Sequence, residues 1–488
     1  MSFAKQNILG LSVTELSLAL SEKWISSQEL TEAYLSKIEE SDGDLGAYLT
    51  VTAEIALSAA KRADILLSKG NARPLCGVPT AYKDNLCVAG VPTTCASKML
   101  EGFIPPYSAT AVKALSEQGA VMLGKLNMDE FAMGSSCCTS AFRLTRNPLD
   151  RERVPGGSSG GCAAAVVSEE APYAIGTDTG GSVRQPAAFC GAVGLKPTYG
   201  RISRYGLIAF ASSLDQIGVI SRTVSDSALI LNALTDVSAR DTHDATLAKL
   251  PPIDFSKDIN SGIRGLRLGI APQFFGKDIT REISLAVDNA VKTYNSLGAT
   301  IVNVNLPSLK YALPAYYVIS SAEASSNLSR YDGVRYGHRS SAPSDSIEET
   351  YICSRSEGFG DEVKRRILLG TYVLSKEHYS DYYQKALKVC GLIRTEFDSV
   401  FHQCDALIAP VTPTPAFKIE RDFLSPVDQY NGDIYTVPAS LAGLPAISVP
   451  CGTTSDGLPI GMQIICRPYD EKTLLRVARS FEAEVSAR

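Results

Sequence analysis

Over about the first 70 residues, apolar positions recur at helical spacing between polar ones. Leu30, Tyr34 and Ile38 fall on one face of a helix. Ser12-Val13-Thr14-Glu15 and Ser26-Ser27-Gln28-Glu29 both place a serine three positions ahead of a glutamate, the reciprocal capping pattern that starts a helix. From about Gly77 the texture changes to short apolar runs broken by glycine and proline. Val121-Met122-Leu123-Gly124, Ala174-Ile175-Gly176 and Arg267-Leu268-Gly269-Ile270-Ala271 predict buried strands followed by turns. Asp405-Ala406-Leu407-Ile408-Ala409-Pro410 and Ala446-Ile447-Ser448-Val449-Pro450 predict two more. Strands interleaved with helical stretches imply an α/β fold around one mixed sheet. Residues 225–425 are more charged and aromatic and read as a mostly helical region appended to that sheet. No repeat of 20–50 residues is present. The expected organisation is a single domain over 1–488, with a helical segment at 1–70, a core at 70–220 and a return to the sheet at 426–488.

Composition narrows the class. The 488 residues are 45% apolar and 20% charged, the profile of an ordinary globular protein. A net charge of −5 leaves no electrostatic footprint for nucleic acid, so a large RNA would be held mainly elsewhere. The 12 cysteines form no Cys-x-x-Cys pair. Cys76, Cys87, Cys95, Cys162 and Cys190 lie among apolar or small residues and read as buried free thiols. With no secretory signal and no Arg-rich leader, a cytoplasmic location is expected. No run of 18 apolar residues occurs, so no membrane span is expected.

Two glycine-framed serines carry the candidate chemistry. Ser158 lies in Pro155-Gly156-Gly157-Ser158-Ser159-Gly160-Gly161, and Ser182 follows 24 positions later in Asp178-Thr179-Gly180-Gly181-Ser182-Val183-Arg184. A serine hydroxyl is a weak nucleophile until a base takes its proton. The four histidines, His243, His338, His378 and His402, all lie after residue 240 in polar surroundings, as exposed histidines do. Gly156-Gly157-Ser158-Ser159-Gly160 matches the hydrolase elbow, but the polar, proline-broken lead-in from Arg146 to Arg153 supplies no strand before it. No Gly-Lys-Ser or Gly-Lys-Thr closes a phosphate loop. Lysine remains as the candidate base, although taken alone Lys83 would suit a snorkelling surface position. Lys83, in Tyr82-Lys83-Asp84, reads as the partly buried end of a strand, where burial would lower its pKa. Gly180 and Gly181 ahead of Ser182 allow the N–H groups of Thr179, Gly180, Gly181 and Ser182 to converge as an oxyanion hole. Asp178 and Arg184 read as a salt bridge that fixes the loop.

The order Lys83, Ser158, Ser182, with the Asp178–Arg184 motif, resembles the amidase signature family over residues 70–220. The resemblance implies a large mixed central β-sheet covered by helices on both sides. It makes Ser182 the acyl-forming nucleophile, Ser158 a proton relay on a cis peptide, and Lys83 the ultimate base. Strings outside the core are more specific: Lys125 to Gly134, Arg330 to Gly337, Glu362 to Ile367 and Leu441 to Pro445. They resemble the tRNA-dependent amidotransferase branch of that family. That branch implies a glutaminase whose ammonia serves a partner, within a heterotrimer containing two other subunits, B and C. ATP and Mg are expected on the complex, with no cofactor or metal in this chain and tRNA bound mainly by a partner subunit. The same resemblance puts Arg366 on the α-carboxylate of glutamine and Asp433 on its α-ammonium. Against this, Arg366 lies in a Lys-Arg-Arg run that would suit a solvated helix face. Tyr316 or Tyr317 would close the pocket, or else serve helix packing. Two positions depart from the family pattern. Cys137-Cys138 stand near the expected substrate entrance where Thr-Glu is usual, and Ser440 stands where asparagine is common. The alternatives are a free-standing amidase for small or fatty amides, and an inactive scaffold. The scaffold would require loss of Lys83, Ser158 or Ser182, and all three are present.

Overall fold

The structure, a computed structural model, describes residues 8–486 apart from 71, 239–240, 249, 277 and 421–429. The join expected at 425–426, and the first seven residues of the expected helical segment, lie outside the described residues.

Eleven strands form one sheet: β1 Tyr48–Val51, β2 Pro79–Lys83, β3 Val121–Leu126, β4 Tyr173–Asp178, β5 Val193–Lys196, β6 Gln216–Ser221, β7 Arg267–Ile270, β8 Thr300–Asn303, β9 Ala406–Pro410, β10 Ala446–Thr453 and β11 Pro459–Ile465. Their order is β1-β3-β2-β4-β6-β5-β10-β11-β9-β7-β8. Parallel pairs flank β2 and β7, and the remaining pairs are antiparallel, so the sheet is mixed as expected.

Side chains alternate across the sheet, and the two faces bury separate cores. Ala406 and Ile408 of β9 join one, with the helices Val13–Ser21, Ser27–Leu45 and Glu471–Ser486. Leu407 and Ala409 join the other, with Ala312–Leu328, Asp361–Leu374 and Tyr383–Val400. Both capping boxes form, at Ser12/Glu15 and Ser26/Glu29, and Leu30, Tyr34 and Ile38 are buried. The five strands expected from apolar runs are present as β3, β4, β7, β9 and β10. Others escape that pattern for physical reasons. The edge strand β8 is half exposed and has no apolar run, and in β11 the buried Gln463 interrupts one.

Register positions the site. β2 runs parallel to β4, with Ala81 opposite Ala174 and Tyr82 opposite Ile175. Lys83 at the end of β2 therefore lies at the same sheet edge as Asp178 at the end of β4, where the Ser182 loop begins.

Candidate active site

Lys83 is fully buried rather than partly so. Its Nζ lies 2.7 Å from Ser158 Oγ, 2.9 Å from Ser159 Oγ and 3.4 Å from the Thr177 carbonyl. Loss of solvent disfavours the ammonium and lowers its pKa to about 8. Ser158 follows a cis Gly157–Ser158 peptide, and Ser159 stands at the N-cap position of the helix Gly160–Val167, its hydroxyl donating to the Thr177 carbonyl instead of capping. A side chain at Gly157 would strike the Asp129 carboxylate, so the loop needs glycine there. No strand precedes Ser158, so the elbow geometry is absent.

The second loop is fixed from below. The Arg184 guanidinium meets the Asp178 carboxylate twice, Nε to Oδ2 and Nη2 to Oδ1, both at 3.0 Å and fully buried. The N–H groups of Val183 and Arg184 also donate to Asp178 Oδ2. Removing one partner of such a pair strands a buried charge and costs about 3–5 kcal/mol. The fixing role read from the sequence is what these contacts provide. Gly181 has φ +141, and a Cβ there would strike Thr436, whose hydroxyl donates to the Gly180 carbonyl at 2.6 Å. Thr179, Gly180, Gly181 and Ser182 are buried, and among the described residues no acceptor takes their N–H groups. The two loops join where the Ser159 N–H donates to the Ser182 carbonyl at 3.1 Å.

One pocket brings Ser182 and Gly180 together with Tyr316, Tyr317, Arg366 and Asp433. Arg366 is buried, not solvated. Its guanidinium lies beside the stacked rings of Tyr317 and Tyr430, 4.5 and 4.8 Å from centroids that are themselves 4.0 Å apart. Its Nε donates to Glu362 Oε1 at 2.7 Å, and the Tyr430 hydroxyl donates to the same oxygen at 2.8 Å. Nη1 has no partner among the described residues. The half-buried Asp433 accepts from the Tyr317 hydroxyl at 3.0 Å, and desolvation raises its carboxyl to about 7. Tyr316 and Tyr317 both line the pocket, the first of the two readings the sequence left open for them. No histidine lines it.

A family model for amidases matches residues 29–475. The chain belongs to the amidase family. The A subunit of glutamyl-tRNA(Gln) amidotransferase from Caldanaerobacter subterraneus subsp. tengcongensis is 52% identical over 475 residues, 97% of this chain and 96% of that protein. The crystal structure of the Thermotoga maritima protein of the same name shares 41% identity at a TM-score of 0.81, covering 98% of this chain and 95% of its own. Native peptide amidase from Stenotrophomonas maltophilia superposes at a TM-score of 0.83 with 30% identity, covering 98% of each chain.

Within this amidase, the residues that departed from the family pattern fall beside the site. Cys137 is buried and Cys138 half-buried, between Ser136 and Thr139 of the pocket wall. Ser440 Oγ accepts from Arg184 Nη2 at 2.9 Å, inside the Asp178 network. All 12 cysteines are free, and Cys76, Cys87, Cys95, Cys162 and Cys190 are buried as expected. Among the described residues no His/Cys/Asp/Glu group could hold a metal, and no helix is long and apolar enough to cross a membrane. Sequence reasoning assigned no role to Ser159, Glu362, Tyr430 or Thr436. Ser159 was signalled by adjacency to Ser158, and Glu362 by its i,i+4 spacing to Arg366. Tyr430 and Thr436 carried no local signal.

Proposed function

We propose that this chain is the glutaminase component of a tRNA-dependent amidotransferase. It hydrolyses glutamine and supplies ammonia to a partner subunit that converts Glu-tRNA(Gln) to Gln-tRNA(Gln). The observation that carries this is the pocket, which places Ser182 beside an unpartnered Arg366 nitrogen and the Asp433 carboxylate. A free amino acid needs one cation and one anion, and a neutral fatty or small amide needs neither. The identity to glutamyl-tRNA(Gln) amidotransferase chains over nearly their whole length supports the same reading.

The 2.7 Å contact of Lys83 Nζ with Ser158 Oγ supports a relay of protons from serine to lysine. Ser182 Oγ attacks the side-chain carboxamide carbon while its proton passes to Ser158, and the Ser158 proton passes to neutral Lys83. The tetrahedral oxyanion is held by the N–H groups of Thr179, Gly180, Gly181 and Ser182. As the C–N bond breaks, the proton returns through Ser158 to the departing ammonia. Water then cleaves the γ-glutamyl ester by the same relay, releasing glutamate and free Ser182. The B and C subunits complete the heterotrimer, ATP and Mg act on the partner, and the −5 charge of this chain accords with tRNA held mainly there. The continuous sheet supports one amidase domain over 1–488, acting in the cytoplasm.

Purified alone and with its partner subunits, the chain should hydrolyse glutamine in preference to unrelated amides. Partner-independent turnover of fatty or aryl amides with little glutaminase activity would overturn the assignment. Arg366→Lys should raise KM for glutamine about tenfold or more with a smaller change in kcat, because an ammonium cannot form the forked carboxylate contact. Asp433 must be ionised to bind the α-ammonium. Protonation below about pH 7 removes that charge, so KM should climb as pH falls. A KM flat between pH 5 and 8 would count against Asp433.

A further inference from the structure

Antiparallel pairing of β4 with β6 sets Asp178 opposite Gln216, which carries Thr179 and Asp215 past the strand ends as facing neighbours. Asp215 is buried and divides its two oxygens. Oδ1 accepts the Thr179 hydroxyl at 2.7 Å, and Oδ2 accepts the N–H groups of Phe210 and Ala211 at 2.9 and 3.1 Å. Thr179 opens the run of N–H groups that leads to Ser182. Phe210 lines the pocket, with its ring centroid 6.0 Å from the Arg366 guanidinium. One carboxylate therefore spans the segment that would hold the oxyanion and the wall that would hold the substrate.

We propose that Asp215 is a positioning residue: through the Thr179 hydroxyl and the Phe210 and Ala211 amides, it holds the Thr179–Ser182 donors in register with the bound substrate. The proposal rests on the reading of that loop as the oxyanion hole. Thr179 is tied twice over, by its side chain to Asp215 and through the chain to the anchored Asp178. The Thr179 peptide orientation follows the hydroxyl contact, and small misplacement of a preorganised donor is felt mainly in the transition state. Arg366 and Asp433, which would fix the ground-state glutamine, lie on other elements, and their hydrogen bonds run to Glu362 and Tyr317 rather than to Asp215. The effect belongs in kcat.

The test measures glutaminase kcat and KM in the assembled enzyme for Thr179→Val, Thr179→Ser, Asp215→Asn and the Thr179→Val/Asp215→Asn double variant. Thr179→Val, which exchanges the hydroxyl for a methyl group of similar size, should lower kcat about tenfold or more with KM changed less than about threefold. Thr179→Ser, which keeps the hydroxyl, should lose less. The double variant should lose no more than the worse single one, since both substitutions act on the same Thr179–Asp215 contact. Wild-type kcat in Thr179→Val, equal losses in Thr179→Val and Thr179→Ser, or multiplying losses in the double variant would overturn the proposal. If Asp215→Asn fails to fold, the Val/Ser comparison still decides it. A Ser182→Ala control separates the two levels. An active Ser182→Ala enzyme sinks the site itself, and an inactive one beside a normal Thr179→Val sinks only the role of Asp215.

Discussion

Ser182→Ala is expected to remove glutamine hydrolysis, lowering kcat by about 10⁴-fold or more, while glutamine still binds within a few-fold of its normal Kd. The expectation follows from where each energy resides. Arg366 and Asp433 would grip the amino acid backbone, and neither depends on the Ser182 hydroxyl. The N–H groups of Thr179 to Ser182 would survive the substitution, but with no nucleophile there is no tetrahedral adduct for them to stabilise. Ammonia release and calorimetric binding measured on the same preparation check both halves. Wild-type turnover in Ser182→Ala would remove the assignment altogether.

Replacing Lys83 should be nearly as severe. Lys83→Ala removes the group that takes the proton, for an expected loss of about 10³-fold. Lys83→Arg should not restore activity, because a guanidinium does not deprotonate in the working range. The pH profile supplies an independent check. Burial sets the Lys83 pKa at about 8, and only the neutral amine accepts a proton. The active fraction falls as pH drops through 8, about tenfold for each unit further down, and levels above it. The kcat profile should therefore rise through that pH in the wild type and lose the rise in Lys83→Ala. A Lys83→Arg enzyme of near-normal rate, or a wild-type profile flat from pH 6 to 9, would refute the lysine base.

Much of the framework was legible because it is local. A capping box is written within four residues, and Ser12 to Glu15 and Ser26 to Glu29 formed as read. Apolar runs such as Val121 to Gly124 announced buried strands because a strand covered on both faces has no polar side to show. The edge strand β8 left no such mark. Chemistry was readable where residue types exclude one another. Four histidines remote from the serines, and a polar lead-in to Ser158, left lysine as the candidate base.

Environment was not readable in the same way. Arg366 sits in a run of cations that would suit water, and it is buried because Tyr317 and Tyr430 close over it from two other segments while Glu362 pairs with it along its own helix. Lys83 looked half-covered on its own strand, yet β3, β4 and the Ser158–Ser159 loop enclose it completely. By itself, the sequence determined the helix starts, five of the eleven strands and the inventory of serines, lysine and glycines that carry the candidate chemistry. Tertiary structure decided which of them meet: the pairing of β2 with β4, the desolvation that lowers the Lys83 pKa, and the pocket that joins Ser182 to Arg366 and Asp433. The division has one physical reason. Backbone propensity and capping act over a few residues, whereas loss of solvent and close approach are set by strands and helices hundreds of residues apart.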